Sequence, residues 1–309
     1  GVVVSLLFFL DGRDPGVDPF GRAGAGGEDE SRYYRYAVAR LAAFPNVMWD
    51  VTNEYHLFRA EAWVEQRGRL LKEIDPYRHL TSVHGAADYK FRTAPWSDFA
   101  MYQAWDEGGG HDFLLRMRRA QAATGRPVPQ VNEEYGYEDH YPTRWGGGRR
   151  APARSADNRR RLAWGMVLAG GYQTTGERAD RGTGKGPDSG GGWINGRGDR
   201  AMTMLEGYAH IVECFAAVEW WRMEPHDELA SGGAYCLAEP GRQYLVYLPS
   251  GGATTVQLAE GRYRASWFDP LTGRSEAIGV ASGPAWSSPA RGSTQDWALI
   301  LRRDPAPSR

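Results

Sequence analysis

Hydrophobic positions before about residue 220 follow two alternating patterns. Short apolar runs typical of buried strands lie at residues 2–10, 47–52, 79–84, 98–103, 127–133 and 171–176. Between them, apolar residues recur at helical spacing at residues 31–43, 58–73, 110–124, 155–169 and 199–220. Strands that alternate with helices are typical of a parallel sheet with helical crossovers. This part of the chain is therefore predicted to be an α/β domain.

The pattern changes after about Pro225. Short alternating runs then occur at residues 243–248, 254–258, 263–268 and 297–301, separated by turns that contain Gly or Pro. Strands at roughly ten-residue spacing with such turns are typical of a small antiparallel sandwich. We therefore predict a C-terminal β-sandwich at residues 225–303 and a disordered tail at residues 304–309.

The composition is that of a globular protein. Hydrophobic residues make up 41% of the chain and aromatic residues 12%, which is enough for a full core. The balance of 37 basic and 38 acidic residues leaves no basic field that would attract nucleic acid. No apolar run reaches the length of about 18 residues that a membrane span needs. The positive charge is almost entirely Arg, which we interpret as the signature of a GC-rich bacterial genome.

Two segments invite functional interpretations that their residues do not support. Gly1–Leu10 is apolar like the core of a signal peptide, but no basic residues precede it and Asp11 follows in place of a cleavage site. We interpret it as a core strand, and a chain that begins inside a buried strand is expected to be a fragment of a longer protein. The Gly-rich stretch 177–199 lacks the spacing of a phosphate-binding loop, so we predict a long substrate-side loop there.

The two cysteines, Cys214 and Cys236, lack the spacing of a metal site. Cys214 lies in a helical pattern and is expected to behave as a small buried hydrophobic residue. A disulfide between the two is therefore not expected.

The strongest chemical signal is a carboxylate at the end of each of two predicted strands. Glu54 follows Asn53 at the end of the strand at 47–52, and Glu133 and Glu134 end the strand at 127–133. The C-terminal ends of parallel barrel strands line one concave face. Two carboxylates in one pocket are the requirement for hydrolysis of glycosidic bonds. A single such Glu is more simply explained as a cap of the following helix, but two on separate strands favour a glycosidase.

The segment Trp49–Glu54 is similar to the W-x-x-x-N-E signature of clan A (β/α)8-barrel glycoside hydrolases. More narrowly, the chain resembles the apiosidase-like barrel hydrolases that have a C-terminal module of the collagen-binding type. Residues 132–138 and 169–176 of the predicted barrel and residues 244–249 and 267–273 of the predicted sandwich are among those that carry this resemblance. It implies a partial TIM barrel at residues 1–224 with strands three to eight present. The first two strand–helix units would then be missing, or supplied by a partner.

The resemblance also implies roles for individual residues. Glu54 would be the acid/base of a retaining mechanism, Glu134 the nucleophile, and Asn53 would hold the sugar 2-hydroxyl. Side chains alternate between the two faces of a strand, so we expect only one of Glu133 and Glu134 to reach the pocket.

Further substrate contacts are expected at the ends of neighbouring strands and in the loops. For His84, a structural role is an equally good interpretation, and for the two Trp residues a place in the core is the alternative. The candidates are Asn53, His84, Gln103, Trp105, Tyr137 and Trp193. The resemblance implies no metal ion and no organic cofactor.

The sequence thus predicts a retaining glycosidase that acts on a plant or microbial polysaccharide or oligosaccharide, secreted or periplasmic in preference to cytoplasmic. The alternative is a non-catalytic carbohydrate- or matrix-binding protein with the barrel as a scaffold. For the sandwich, we favour a structural buttress on the last barrel helix over a binding role. The sequence does not indicate an oligomeric state.

Overall fold

The structure is a computed structural model that describes residues 3–9, 19–105, 110–136, 155–174 and 203–304. The chain forms two compact units. The first consists of residues 1–104 and 116–134, and the second of residues 105–115 and 135–309. The predicted Gly-rich loop at 177–199 lies outside the described residues. The predicted domain boundary at about residue 225 stays a prediction.

The first unit is built from parallel strands connected by helices. Its strands are β1 (Val4–Leu7), β2 (Val47–Asp50), β3 (Thr81–Ser82), β4 (Ala100–Gln103) and β5 (Gln130–Glu134). Strands β1, β2 and β3 pair in parallel in that order, and β4 pairs in parallel with β5. The backbone N–H of Asp98 donates to the carbonyl of Thr81 at 2.8 Å, so the chain entering β4 lies beside β3. Each of these strands was predicted from its apolar run, and each is shorter than the run.

The helices of this region are α1 (Gly21–Gly24), α2 (Glu28–Leu41), α3 (Glu61–Ile74) and α4 (His111–Ala122), of which α4 contributes residues to both units. Helix α2 is fixed against β2 by buried aromatic side chains. The hydroxyl of Tyr34 donates to the carbonyl of Val51 at 2.9 Å, and the Tyr34 ring stacks on Phe8 with 4.2 Å between ring centroids. A buried hydrogen bond of this kind contributes about 1 kcal/mol. The contact holds the chain immediately before Asn53.

The second unit contains α5 (Ala156–Leu168), α6 (Thr203–Ala216) and a six-stranded antiparallel sheet. The sheet order is β12-β11-β14-β9-β8-β7, and the separate strands β10 and β13 pair antiparallel with each other. The strands of this unit are β6 (Tyr172–Gln173), β7 (Glu224–Pro225), β8 (Tyr235–Glu239), β9 (Gln243–Leu248), β10 (Thr255–Gln257), β11 (Arg262–Phe268), β12 (Ser275–Ser282), β13 (Ala285–Ser287) and β14 (Trp297–Arg303).

The central strands of the six-stranded sheet are buried on both faces. One face packs on apolar residues of α5 and α6, among them Trp164 and Ile211. The other face forms a second core with Val256 of β10 and the half-buried Trp286 of β13. Packing of the sheet on a preceding helix was expected from the sequence, and the structural role of the sandwich stays a prediction. The sequence analysis did not predict β12, because most of its residues are exposed and its apolar and polar residues do not alternate.

The chain is ordered one residue into the predicted disordered tail, which starts at residue 304. Arg303 lies within β14, opposite Tyr263 of β11, and the backbone N–H of Asp304 donates to the carbonyl of Arg262 at 2.8 Å. The sheet ladder therefore holds the chain as far as Asp304, and residues 305–309 lie outside the described part.

Cys214 and Cys236 are both buried free thiols, as expected. Burial raises the pKa of each well above that of an exposed thiol. Within the described ranges, every helix is too short or too polar to traverse a lipid bilayer.

Asp296 connects helix α5 to the sheet through a buried ion pair. Its carboxylate accepts from Nε of Arg160 at 3.2 Å and from Nη2 of the same residue at 2.5 Å. The hydroxyl of Tyr247 donates to the same carboxylate at 2.8 Å, and the Asp296 side chain is fully buried. Removing one partner of such a pair leaves the other charge poorly compensated in a dry environment.

We therefore expect Asp296→Ala to lower the free energy of unfolding by about 3 kcal/mol. Urea unfolding followed by tryptophan fluorescence would measure the loss. Asp304→Asn is the matched control, because the Asp304–Arg264 pair is largely exposed and should contribute less than about 1 kcal/mol. Equal stability of the two variants would contradict the role given to Asp296.

Candidate active site

The chain after β2 turns sharply at Glu54. Glu54 has φ 41° and ψ 47°, the left-handed region that non-glycine residues rarely occupy. Neighbouring hydrogen bonds hold this geometry: the Asn53 N–H donates to the carbonyl of Phe9 at 3.0 Å, and the Tyr55 N–H donates to that of His84 at 3.4 Å. Backbone strain of this kind costs about 1–3 kcal/mol and is concentrated at functional sites.

The two side chains of the Asn-Glu pair lie close together. The amide nitrogen Nδ2 of Asn53 is 3.5 Å from Oε2 of Glu54, and both side chains are half-buried. The turn thus leaves the Glu54 carboxylate partly open to solvent, beside a polar amide.

At the end of β5 the pairing with β4 is irregular. Tyr102 pairs with Asn132, but the next residue, Gln103, pairs with Glu134, so Glu133 is an extra residue in a β-bulge. The Asn132 side chain holds the bulge, since its Nδ2 donates to the Ala104 carbonyl at 2.8 Å and its Oδ1 accepts from the Ala104 N–H at 3.2 Å.

The bulge brings both glutamates to one side chain. Oε2 of Glu133 is 3.2 Å from Nδ1 of His84, and Oε2 of Glu134 is 3.7 Å from its Nε2. The expectation that only one of the two carboxylates would reach the pocket is therefore wrong. It assumed regular alternation along β5, which the bulge interrupts.

Asp50, the last residue of β2, lies on the buried side of this group. It is fully buried, and its Oδ1 accepts from the backbone N–H groups of Thr52 and His84, each at 3.1 Å. Within the part of the chain that the structure describes, its Oδ2 has no hydrogen-bond partner. Asp50, His84 and Glu133 offer one side-chain atom each within 4.8 Å of one another.

The contacts among Asp50, His84 and the two glutamates determine the charge states of His84 and Asp50. Burial lowers the pKa of His84, but the hydrogen bond and charge of Glu133, with the charges of Asp50 and Glu134, outweigh it and raise that pKa to about 9. His84 is therefore an imidazolium at neutral pH. Burial, followed by the charge of Glu133, raises the pKa of Asp50 well above its ordinary value, although His84 opposes this. The imidazolium thus lies among three carboxyl groups, of which the buried Asp50 favours its neutral form.

A set of two carboxylates and one imidazole can hold a divalent cation such as Zn²⁺ or Mn²⁺. An imidazole must be neutral to ligate a metal. A protonated His84 ring instead forms an ion pair with Glu133 across the 3.2 Å contact, so the two arrangements exclude each other.

The other predicted contact residues are dispersed. Gln103 is half-buried at the end of β4, beside Ala86, to whose carbonyl its backbone N–H donates at 3.4 Å. Trp105 is also half-buried but belongs to the second compact unit. Tyr137 and Trp193 lie outside the described residues.

Sequence reasoning missed Asp50 as a member of the site. A signal was present, because Asp50 is an acidic residue in the otherwise apolar run 47–51. Burying a carboxylate is costly unless it is paired, so such a residue indicates a buried partner.

Two family models match this chain. Residues 17–176 match the family model described as "Apiosidase-like, catalytic domain". Residues 226–302 match the model described as "Putative collagen-binding domain of a collagenase". No curated protein matches the sequence.

Solved structures are similar in fold. One, titled "Glycoside hydrolase", has a TM-score of 0.72 and 19% identity, over 89% of this chain and 69% of the other. A glycoside hydrolase family 5 protein from Bacteroides vulgatus ATCC 8482 has a TM-score of 0.77 and 18% identity, over 98% of this chain and 71% of the other. At such identities the likeness establishes the fold alone. The apiosidase-like catalytic model, however, spans more than half of the sequence, and the chain therefore belongs to the apiosidase-like family.

Proposed function

We propose that this protein is a retaining glycoside hydrolase that acts on a plant or microbial polysaccharide or oligosaccharide. The observation that supports this most is the placement of carboxylates at the C-terminal ends of parallel strands of one unit. Glu54 follows β2, and Glu133 and Glu134 end β5. The catalytic family model covers all three residues. Family and fold together favour glycosidase activity over a purely binding role.

We further propose that β1 to β5 are consecutive strands of a (β/α)8 barrel. Their parallel pairing in sequence order supports this arrangement, as do the helices α2 and α3 between them. On this proposal residues 1–224 belong to the barrel and residues 225–303 to the sandwich. The active face is then the one at which the strands end.

The proposed reaction has two steps. The Glu134 carboxylate attacks the anomeric carbon while Glu54 gives its proton to the departing glycosidic oxygen, which forms a glycosyl ester and releases the alcohol. Glu54, now ionised, takes a proton from water, whose oxygen attacks the anomeric carbon and frees the sugar. Asn53, beside Glu54, is suited to hold the sugar 2-hydroxyl.

The contacts of His84 support Glu134 over Glu133 as the nucleophile. Glu133 lies within hydrogen-bond distance of the ring at 3.2 Å, whereas the corresponding distance for Glu134 is 3.7 Å. A carboxylate that accepts a short charge-assisted hydrogen bond from the imidazolium is a poorer nucleophile than one that lies farther from it. The sequence match to the family favours the same residue.

Glu54→Gln and Glu134→Gln should each lower kcat/KM on aryl glycosides by at least about 10²–10⁴-fold, because each removes a group that acts in the transition state. Glu73→Gln, on the exposed face of α3, is the matched control and should retain full activity. Circular dichroism would check that every variant is folded. Unchanged turnover in either site variant would refute its assignment.

The stereochemistry gives a second, independent prediction. Proton NMR of the first product should show net retention at the anomeric carbon, because two inversions through a glycosyl ester restore the configuration. Added azide should restore turnover to Glu134→Ala and give the inverted glycosyl azide. With Glu54→Ala, azide should give the retained one. An inverted first product from the wild-type protein would rule out the double displacement.

A different class of protein would give another result. A carbohydrate-binding protein without catalytic activity would be retarded in affinity gels that contain its polysaccharide. It would release no reducing sugar from any substrate in a glycan panel.

A further inference from the structure

We propose that His84 is a positioning residue: held as an imidazolium between Asp50 and Glu133, it presents a positive charge to Glu134 and keeps that carboxylate ionised for attack. This inference deepens the proposed function and rests on it. It also gives Glu133, which the two-carboxylate mechanism does not use, a distinct task.

His84 is held in place through both its backbone and its ring. Its backbone N–H donates to Oδ1 of Asp50 at 3.1 Å and to the carbonyl of Thr52 at 3.3 Å, and its own carbonyl accepts from the N–H of Tyr55. Its side chain is 4% exposed, and Nδ1 lies 3.2 Å from Glu133. Backbone and ring are thus held from both β2 and β5, and Nε2 is left facing Glu134.

Glu133 and Glu134 contact different nitrogens of the His84 ring. In a regular strand, Glu133 and Glu134 would point to opposite faces. The bulge at Glu133 turns both toward one ring, where each meets a different nitrogen. The shorter contact, at Nδ1, fixes the ring, and the longer one, at Nε2, places the positive charge beside the Glu134 carboxylate.

The effect of His84 on Glu134 is electrostatic. Among the described residues, the charged groups that act on His84 are Asp50 from β2 and Glu133 and Glu134 from β5. Together they raise the pKa of His84 to about 9, so the cation persists through the neutral range. An opposite charge within about 4–6 Å lowers the pKa of a carboxyl group by about one to three units. His84 should therefore lower the pKa of Glu134 and extend activity toward acid pH.

Each of the two site variants should change one pKa in a defined direction. His84→Gln keeps a polar side chain but removes the charge, so the pKa of Glu134 should rise. Glu133→Gln removes the strongest support of the imidazolium, so the pKa of His84 should fall. Neither pKa should change in this way if the His84 ring only fills space.

The test compares His84→Gln, Glu133→Gln and the control His56→Gln, which removes an exposed imidazole two residues from Glu54. The pH dependence of kcat/KM on an aryl glycoside would be measured for each. We expect the acidic limb of His84→Gln to move to higher pH by about one to three units. We expect that of His56→Gln to stay in place. A folded His84→Gln protein whose acidic limb is unmoved would overturn the proposal.

An NMR titration tests the same proposal without requiring enzymatic activity. The ring of His84 should titrate near pH 9 in the wild-type protein and at lower pH in Glu133→Gln. With ¹³C-labelled glutamate, the carboxyl carbon of Glu134 should titrate at higher pH in His84→Gln than in the wild type. If no glycoside is hydrolysed but these titrations behave as described, the proposed function fails and the charge arrangement stands.

Two results would overturn the proposal in this arm. The first is a His84 ring that titrates at or below its ordinary pKa of about 6.5. The second is stoichiometric binding of Zn²⁺ or Mn²⁺ by the wild-type protein that is lost in both Asp50→Asn and Glu133→Gln. The group would then be a metal site, and the His84 ring would be neutral.

Discussion

The candidate site depends on one buried contact, the imidazolium of His84 enclosed by carboxylates from two strands. Asp50 reaches it from β2, and Glu133 and Glu134 reach it from β5. Three carboxylates in so little space would repel one another strongly in a medium of low dielectric constant. The single cation offsets that repulsion, and it lies closer to Glu133 than to Glu134. Without it, burial would favour neutral carboxyl groups, which are poor nucleophiles.

Two departures from regular backbone geometry make this arrangement possible. The bulge at Glu133 directs neighbouring glutamates to the same ring, and the Asn132 amide stabilises it through two hydrogen bonds to Ala104. The left-handed conformation of Glu54 turns the chain out of β2 as soon as the strand has delivered its carboxylate. Both features cost free energy locally, and packing on both sides of the strands sustains them. Their occurrence at the two predicted catalytic segments is what a site shaped for chemistry would require.

The second unit is organised by different forces. Its antiparallel sheet packs one face on α5 and α6 and the other on the β10–β13 pair, so apolar burial dominates. A buried polar contact adds to this packing, because the Asp296 carboxylate joins Arg160 of α5 to Tyr247 of β9. The central strands of this sheet, buried on both faces, leave little of their surface for a ligand. This favours a structural role for the sandwich over the binding role that the name of its family model suggests.

The sequence alone determined the strands of the first unit, the helices between them and the two carboxylate-bearing strand ends, because apolar periodicity and strand-end polarity are local properties. It did not determine the partners of His84 or the shared orientation of Glu133 and Glu134. A bulge arises from the register with a neighbouring strand, and the charge of a buried imidazole arises from groups that are distant in sequence. Asp50 illustrates the difference: its place in an apolar run signals a buried partner, but only the tertiary structure shows that the partner is the segment of His84. Local pattern thus identified the two strand ends that form the site, and packing between strands decided which side chains meet there and how they are charged.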